Sequence, residues 1–455
     1  MQIINPATEE LIAHLDEDNS TQIQTKFEKA RQAQKSWAQF TLTDRIEVLR
    51  KFYELLAEYK QSLGEILTRE MGKPLAQAYN EINGARGRIE FFLENSANYL
   101  NPETVWKEPG LEEKIAYESL GVIANISAWN YPYLVGVNVF VPGLIAGNAV
   151  LYKPSEFTTL TGLEIGKLLH QAGVPEEVFQ VIIGGKEAGE TLLSLPLDGY
   201  FFTGSYKTGK YIYEKVASKM VPCQLELGGK DPVYVLDSNE NIPGIARGIA
   251  DGAFYNNGQS CCSVERIYVH EKVYEDFVNA FTEEVKSYKI GNPEETGVYV
   301  GPLTRKEQIS VLENQVQDAL DKGAQLLTGG KALDRKGYYF APTVLVNVNA
   351  SMLVMREESF GPIIGIQKVS SDEEALALMQ DTEYGLTTGV YTQDTARAEK
   401  LLAQLDSGSA YWNCCDRVSP RLPWSGRRHS GLGATLSHLG IRAFTKPKGY
   451  HLRNS

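Results

Sequence analysis

Short apolar segments alternate with longer amphipathic segments between residues 121 and 202 of this chain. Strands and helices are predicted in turn over residues 122–126, 134–144, 149–152, 160–172, 178–183, 187–193 and 199–202. Such alternation is typical of parallel sheets, because a crossover helix must carry the chain back before the next parallel strand can form. The pattern therefore predicts a doubly wound α/β sheet.

A second series of the same kind follows further along the chain. It predicts strands over residues 232–236, 266–269, 325–327, 339–346, 363–368 and 388–391, with helices over residues 242–255, 273–287, 306–322, 372–379 and 395–405. We therefore expect a second parallel α/β domain. A chain of 455 residues is also too long for one compact core, which favours two or three domains.

The first hundred residues precede both series and are mainly helical in pattern. We predict a strand pair within residues 1–17, then helices capped by Ser20 or Thr21 and by Thr43, then helices over 63–71 and 74–99. Residues 102–110 break the pattern, and strands are predicted over 114–118 and 443–448. The expected domains are 1–100 with 121–226, then 227–425, with 101–120 and 426–455 as a β arm and tail.

The composition narrows the possible partners and compartment. A net charge of -12 argues against a general surface for nucleic acid or anionic membrane, and no uncharged apolar run is long enough to span a bilayer. The five cysteines include no CxxC pair, and the six histidines show no metal-ligand spacing, so no metal is expected. Free thiols and an N-terminus without an apolar signal region predict a cytoplasmic protein.

The segment Asp251–Glu265 carries two adjacent thiols, Cys261 and Cys262, behind an Asn-Asn-Gly-Gln turn. A free cysteine has a pKa of roughly 8.5, so a reactive one needs help from its surroundings. The simpler interpretation is that each thiol is a small buried hydrophobe. The residues alone do not choose between the two cysteines.

Two polar side chains are candidates for that help. Glu226 stands between two leucines before a double glycine, and burial there would raise its pKa and make it a general base. Asn130 follows the strand predicted at 122–126, at the sheet edge where ligands bind, and its amide is a donor. The alternatives are a carboxylate satisfied by backbone amides and an ordinary turn asparagine.

The segment 202–210 lies where a strand passes into a helix, which is a place where backbone N–H groups bind phosphate. Gly204, Gly209 and Lys210 fit a P-loop, but Tyr211 stands where that motif needs serine or threonine. A nucleotide triphosphatase therefore stays open at this point. Nearby, Lys153 and Glu156 can hydrogen-bond a ribose or form a plain surface ion pair.

Together with the loops 356–362 and 412–426, these segments resemble the aldehyde dehydrogenase superfamily, from Asn5-Pro-Ala-Thr to Phe444-Thr-Lys-Pro. The resemblance implies two doubly wound domains: a Rossmann-like domain of residues 1–100 and 121–226 that binds NAD, and a catalytic domain of residues 227–425. It also implies a small β oligomerisation arm. It argues against a triphosphatase. It also implies that the chain forms a homodimer or a homotetramer.

The resemblance assigns the catalytic roles. Cys261, two places after Gly258-Gln259, would attack the aldehyde carbonyl. The Asn130 amide and the Cys261 N–H would hold the oxyanion, and Glu226 would activate the water that hydrolyses the thioester. A relative that transfers the acyl group to coenzyme A usually lacks this glutamate, so hydrolysis is favoured. Many members carry a second glutamate near the C-terminal end of the chain, and the residue at the matching position here is Thr435.

The resemblance also implies a set of cofactor residues: Trp129, Lys153, Glu156, Thr203, Gly204, Ser205, Gly209, Glu358 and Phe360. A carboxylate at Glu156 accepts hydrogen bonds from ribose hydroxyls and repels a 2′-phosphate. We therefore expect NAD as the cofactor, with NADP as an alternative because Lys153 can meet a phosphate.

The substrate is predicted from the residues around the mouth of the site. Members that oxidise succinate semialdehyde typically carry arginines at positions that match Asn138 and Tyr255 here, although Arg417 or Arg421 can substitute. The expected substrate residues are mostly apolar or aromatic: Tyr131, Leu134, Tyr255, Val418 and Trp424. They favour an uncharged aliphatic or aromatic aldehyde, with betaine-type aldehydes and succinate semialdehyde as alternatives.

Overall fold

The computed structural model describes residues 1–454. Its N-terminal elements are β1 (Gln2–Ile4), β2 (Leu11–His14), α1 (Ser20–Trp37), α2 (Leu42–Glu58), α3 (Lys60–Met71) and α4 (Leu75–Leu100). Asn19 caps α1 and Thr41 caps α2, each in a reciprocal capping box. The predicted caps at Ser20, Thr21 and Thr43 are therefore wrong, because the side chain that accepts the third N–H lies one or two residues earlier.

A three-stranded antiparallel sheet combines two strands that precede the first parallel sheet with the last strand of the chain. It consists of β3 (Glu103–Glu108), β4 (Leu111–Ser119) and, from the C-terminus, β18 (Thr445–Arg453), in the order β18-β4-β3. Residues 102–110 were expected to be irregular, but most of them pair with β4, and the last strand runs further than predicted. The side chains of β3 are exposed along its whole length.

The first parallel sheet lies on the N-terminal helices. Its elements are β5 (Val122–Ile126), α5 (Pro132–Ile145), β6 (Ala149–Lys153), α6 (Thr159–Ala172), β7 (Phe179–Val181), α7 (Lys186–Ser194), β8 (Gly199–Thr203), α8 (Tyr206–Val216), a 3₁₀ turn (Ala217–Lys219), β9 (Cys223–Glu226) and, later, β17 (Gly431–Leu432). The order is β17-β9-β8-β5-β6-β7, with only β17 antiparallel. One hydrophobic core joins this sheet to α1–α4.

The second sheet has helices on both faces. Its elements are β10 (Asp231–Val235), α9 (Ile242–Phe254), a 3₁₀ turn (Tyr255–Gly258), β11 (Val264–His270), α10 (Tyr274–Ser287), α11 (Glu307–Asp321), β12 (Gln325–Thr328), β13 (Thr343–Val346), α12 (Leu353–Arg356), β14 (Ile363–Val369), α13 (Asp372–Gln380), β15 (Thr387–Tyr391), α14 (Thr395–Leu402) and β16 (Ser409–Trp412). The order is β12-β13-β14-β11-β10-β15-β16, and only β12 is antiparallel. Separate apolar cores cover its two faces.

The predicted α/β class with two mainly parallel sheets and a small β arm is confirmed, and the differences are local. Helix α8 begins at Tyr206, inside the segment 202–210, because Ser205 is its N-cap. Strands β9 and β16 were not predicted, and the strand predicted over 339–346 begins only at Thr343. The tail adds a 3₁₀ turn (Arg428–Ser430) and α15 (Ser437–Arg442). None of the helices within residues 1–454 has the length and apolar character needed to cross a membrane.

Candidate active site

The turn that carries the thiols has an unusual backbone. Asn256, Asn257 and Gly258 have φ values of 55°, 59° and 70°, in the left-handed region. This conformation is unfavourable for residues with a side chain, but asparagine tolerates it when its amide finds local partners. The Asn257 amide donates to the Pro302 carbonyl at 2.8 Å, and its oxygen accepts the Gly301 N–H at 2.7 Å. These contacts fix the loop between α9 and β11 that ends in Cys261.

Gly258 of this turn and Gly229 of a neighbouring loop allow the surrounding backbone to approach closely. A Cβ on Gly258 would stand 2.3 Å from the Gly361 carbonyl oxygen. A Cβ on Gly229 would stand 2.7 Å from the Cys261 carbonyl oxygen. The sequence therefore brings the loop after β9 and the loop before β14 into backbone contact with the thiol segment.

The two cysteines have different environments. Cys262 is 5% exposed, and its sulfur donates to Asp416 Oδ1 at 3.0 Å. A hydrogen bond with Cys261 and burial together raise the pKa of the Cys262 thiol well above its ordinary value. Both thiols line the large cavity described below, but Cys261 is only partly buried. The thiolate is thus disfavoured at Cys262, which favours Cys261 as the reactive residue.

Asn130 lies on the turn between β5 and α5, against the thiol segment. Its Nδ2 donates to the Gln259 carbonyl at 3.2 Å. Its own carbonyl accepts from Asn256 Nδ2 at 3.1 Å. Within residues 1–454, no protein acceptor takes the Cys261 N–H. The Asn130 amide and the unused Cys261 N–H are therefore two hydrogen-bond donors on neighbouring segments of the site.

A buried ion pair that the sequence analysis missed supports this turn. Lys73 contacts Glu81, and both side chains are fully buried. The Lys73 ammonium also donates to the Asn130 carbonyl at 2.8 Å and lies 3.9 Å from the centroid of the Tyr131 ring. Glu81 accepts the Tyr133 N–H at 2.9 Å. The available signal was the position of Glu81 on the apolar stripe of α4, where an acid needs a partner.

Glu226 ends β9 and is 8% exposed. Its Oε1 lies 3.4 Å from Thr435 Oγ1, whereas its Oε2 has no hydrogen-bond partner in residues 1–454. Burial raises the pKa of this carboxyl to about 8. The Glu226 carbonyl accepts the Gly204 N–H at 3.0 Å. The candidate base is thus tied by its backbone to the turn expected to hold the cofactor.

The expected cofactor residues lie mainly at the carboxyl ends of the first sheet's strands. Lys153 ends β6, Thr203 ends β8, and Ser205 caps α8. Lys153 is buried, and its Nζ lies 4.0 Å from Oε2 of the more exposed Glu156. Gly209 packs so closely on Leu227 that a Cβ would stand 2.5 Å from it. Tyr211, the misfit to the P-loop motif, points away and donates to Glu190.

The remaining cofactor candidates come from the second sheet and meet the first. Glu358 accepts the Gly229 N–H at 3.1 Å, and burial raises the pKa of its carboxyl to about 8. The Phe360 ring lies edge-on to Trp129, with centroids 5.3 Å apart. Glu265 and Lys230, which the sequence analysis missed, form a buried pair at 2.5 Å behind this loop.

These groups fit a dinucleotide. The N-terminus of α8 offers free N–H groups to a pyrophosphate, while Glu156 and Glu358 offer carboxylate acceptors to two riboses. Within residues 1–454 there is no cluster of histidine, cysteine and acidic side chains that would hold a metal ion. The arrangement can therefore combine thiol chemistry with hydride transfer.

A cavity of about 1160 Å³ opens beside Cys261. All the residues expected to contact the substrate line it: Tyr131, Leu134, Tyr255, Val418 and Trp424. Tyr255 accepts a hydrogen bond from Asn80 at 3.1 Å, and Trp424 pairs through its backbone with Thr435. The wall also contains Arg88 of α4, which the sequence analysis did not consider.

Two doubly wound sheets that meet at a cleft, with groups on one side that fit a dinucleotide, define the class of NAD(P)-dependent dehydrogenases. The chain matches the aldehyde dehydrogenase family over residues 1–449, and it belongs to that family. It is an NAD(P)-dependent enzyme that oxidises small aldehydes.

Relatives and solved structures agree with this assignment. The chain is 33% identical to succinate-semialdehyde dehydrogenase [NADP(+)] of Deinococcus radiodurans, over 98% of this chain and 93% of that one. It is 33% identical to chloroplastic betaine aldehyde dehydrogenase of Beta vulgaris, over 98% of this chain and 91% of that one. Lactaldehyde dehydrogenase from Escherichia coli superposes with a TM-score of 0.95 at 30% identity, over 100% and 96% of the two chains.

Proposed function

We propose that the protein oxidises its aldehyde to the carboxylic acid, with Cys261 as nucleophile and Glu226 as the base for hydrolysis. The observation that carries the proposal is the difference between the two thiols on the cavity wall, because Cys261 is partly exposed whereas Cys262 is buried and donates to Asp416. The Cys261 thiolate attacks the carbonyl carbon and forms a thiohemiacetal oxyanion. A bound nicotinamide would supply the acceptor for the hydride that leaves this carbon, and the acyl group would then remain on Cys261 as a thioester.

The oxyanion is held by the Asn130 amide and the Cys261 N–H. Asn130 keeps one amide hydrogen on Gln259 and has a second for the oxyanion. Donors that are already oriented stabilise the developing charge, and loss of one commonly costs roughly 3 kcal/mol in the barrier. The buried Lys73–Glu81 pair keeps this donor in position.

Glu226 accepts a proton from water, and the resulting hydroxide adds to the thioester carbon. The C–S bond then breaks, the acid leaves, and Cys261 regains its thiolate. The buried, unpartnered Oε2 supports this role, because a carboxylate without competing partners is free to take the proton. Thr435 stands where many relatives have a second glutamate, so hydrolysis depends on Glu226.

The proposed cofactor is NAD, bound by the domain formed from residues 1–100 and 121–226. The support is Glu156, whose side chain is 46% exposed beside the buried Lys153. A carboxylate there repels a 2′-phosphate, whereas the ammonium attracts it, which leaves NADP as an alternative. A kcat/KM ratio that favoured NADP tenfold or more would contradict the preference.

The proposed substrate has an aliphatic or aromatic carbon chain, since aromatic and branched side chains form one part of a cavity wall that also contains charged side chains. The alternatives are a betaine-type aldehyde, since the rings of Tyr255 and Trp424 suit a quaternary ammonium, and succinate semialdehyde, which ends in a carboxylate. We also propose that the exposed β18-β4-β3 arm mediates at least a homodimer, and that the five free cysteines belong to a reducing, cytoplasmic setting.

The proposal is tested by NADH formation at 340 nm over a panel of aldehydes. Wild type and Cys262→Ala are expected to be active, and Cys261→Ala inactive. The adjacent Cys262 provides a matched control, since both variants remove one thiol from the same loop. Activity that survives in Cys261→Ala but not in Cys262→Ala would overturn the assignment of the nucleophile.

A further inference from the structure

Arg88 projects from α4 into the wall of the cavity that holds Cys261. It is 8% exposed. Its Nη1 donates to the Leu134 carbonyl at 3.0 Å and to Asn138 Oδ1 at 3.1 Å. Within residues 1–454, neither Nε nor Nη2 donates to a protein acceptor, and no carboxylate lies within ion-pair distance. One edge of the guanidinium is therefore held by the protein and the other is unused.

Other buried cations of this chain have their partners. Lys73 contacts Glu81, and Lys230 contacts Glu265. Arg266 donates to the backbone carbonyls of Lys230, Leu378 and Met379. A buried charge without a partner is costly, so an unused guanidinium edge that faces a cavity is typical of a ligand site.

The free edge has the geometry for one kind of ligand. Nε and Nη2 point the same way from the planar guanidinium, and this edge matches the two oxygens of a carboxylate. Asp416, the acid on the cavity wall beside the thiols, already accepts a hydrogen bond from Cys262. Arg88 thus brings a cation with unused donors to the wall of the cavity that Cys261 lines.

We propose that Arg88 binds a carboxylate at the far end of the substrate, and that the preferred substrates are aldehydes whose carbon chain ends in a carboxylate. The inference rests on the proposed function, because it places the aldehyde carbon at Cys261. The chain of the substrate lies against the apolar wall formed by Leu134, Val418 and Trp424. Uncharged aldehydes of the same length are accepted but are held less tightly.

The test compares 4-oxobutanoate with its methyl ester, which has the same chain without the charge. Wild type is expected to prefer the acid. Arg88→Gln is expected to lose about 10- to 100-fold in kcat/KM for the acid, the loss typical of a charge-assisted hydrogen bond, with little change for the ester. The loss should appear in KM, since the contact is made equally before and during the reaction.

The ratio of the kcat/KM values for the acid and the ester is measured on the same preparation of each variant. A partial loss of folded enzyme lowers both values equally and cancels in the ratio. Arg88→Lys, which keeps the charge but not the fork, should retain part of the preference. Arg247→Gln is the matched control, because it removes an exposed arginine that pairs with Glu284 and does not line the cavity. Its ratio should stay within about threefold of wild type, as expected for an exposed charge.

Two results would overturn the inference. One is a wild-type enzyme that oxidises the ester as well as the acid. The other is an Arg88→Gln variant that loses both substrates equally. Failure of the proposed function looks different, because then neither substrate gives NADH with the wild-type enzyme.

Discussion

The side-chain ammonium of Lys73 lies 2.8 Å from the backbone carbonyl oxygen of Asn130. The same ammonium contacts the fully buried Glu81, which in turn holds the Tyr133 N–H. Lys73 lies in the link between α3 and α4, and Glu81 lies on α4. This charged pair thus holds both ends of the turn that presents the Asn130 amide. Because oxyanion donors act through orientation, the pair should affect turnover as well as stability.

Lys73→Met should lower kcat by about 10- to 100-fold, as expected when a catalytic donor is misplaced by about 1 Å. It should also cost about 3–5 kcal/mol in the free energy of unfolding, because Glu81 is left buried without its partner. Urea unfolding and steady-state kinetics measure the two effects separately. The matched control is the double variant Lys73→Met/Glu81→Leu, which removes both charges.

The double variant should recover most of the stability, since no unpaired charge remains, but its kcat should stay low. If kcat recovers together with stability, the pair acts only on folding and the positioning role is wrong.

Glu226 predicts the pH dependence of thioester hydrolysis. Burial raises the pKa of this carboxyl to about 8, so it becomes the ionised, active base only as the pH approaches that value. The hydrolysis rate should rise roughly tenfold per pH unit below about 8 and then level off. In Glu226→Gln the rate should be low and this rise absent. A wild-type rate that is flat between pH 6 and 8 would contradict the assignment.

The same shift has a consequence for stability. The folded-state pKa of about 8 lies above the ordinary value of 4.5, so the folded protein binds this proton more tightly than the unfolded chain. The resulting stabilisation is fully present below pH 4.5 and is lost as the pH rises through 8. Wild type should therefore lose stability relative to Glu226→Gln over this range, as measured by urea unfolding at several pH values. An unchanged difference would show that the carboxyl is not buried in solution.

Glu156 should control the choice of cofactor. Glu156→Gln removes the negative charge beside the Lys153 ammonium, so NADP should bind more tightly, with a KM about tenfold lower, while the KM for NAD rises slightly. The control is Glu177→Gln, an exposed acid after α6. An unchanged KM for NADP in Glu156→Gln would show that this carboxylate does not face the 2′ position.

Gly258 should tolerate no side chain. A Cβ there would stand 2.3 Å from the Gly361 carbonyl oxygen, and the backbone has a φ of 70°. Gly258→Ala should therefore destabilise the protein by at least about 1–2 kcal/mol and lower kcat, because the turn before Cys261 must shift. Gly189→Ala is the control, since open space surrounds this helical glycine and alanine favours a helix by about 1 kcal/mol. Equal thermal unfolding of the two variants would contradict the packing argument.

The sequence predicts the two sheets well because each strand is a local apolar run, and each crossover helix has its own period. It marks the two thiols, the amide and the carboxylate as candidates because each stands in a short motif, and the resemblance to the family then chooses Cys261 over Cys262. It does not predict Lys73, Glu81 or Arg88, whose partners lie 8 to 57 residues away along the chain. A lone charged residue on an amphipathic helix has the same pattern whether it faces solvent or a cavity.

The short strands at the edges of the sheets are hard to predict from sequence because they too depend on partners far away in the chain. Strand β9 has only four residues, and its partner β17 comes from the far end of the chain. Residues 103–108 form β3 only because β4 pairs with them, since none of their side chains is buried. Pairing over long distances, rather than local propensity, determines these elements.

The most direct test of the central claim is the mass of the enzyme during turnover. Glu226→Gln, mixed with NAD and an aldehyde substrate, should release one NADH per active site in a burst and then stall, because hydrolysis lacks its base. Intact mass should increase by one acyl group, and fragmentation of the peptide that spans residues 248–266 should locate the group on Cys261. An acyl group on Cys262, or full steady-state turnover without any adduct, would contradict the mechanism.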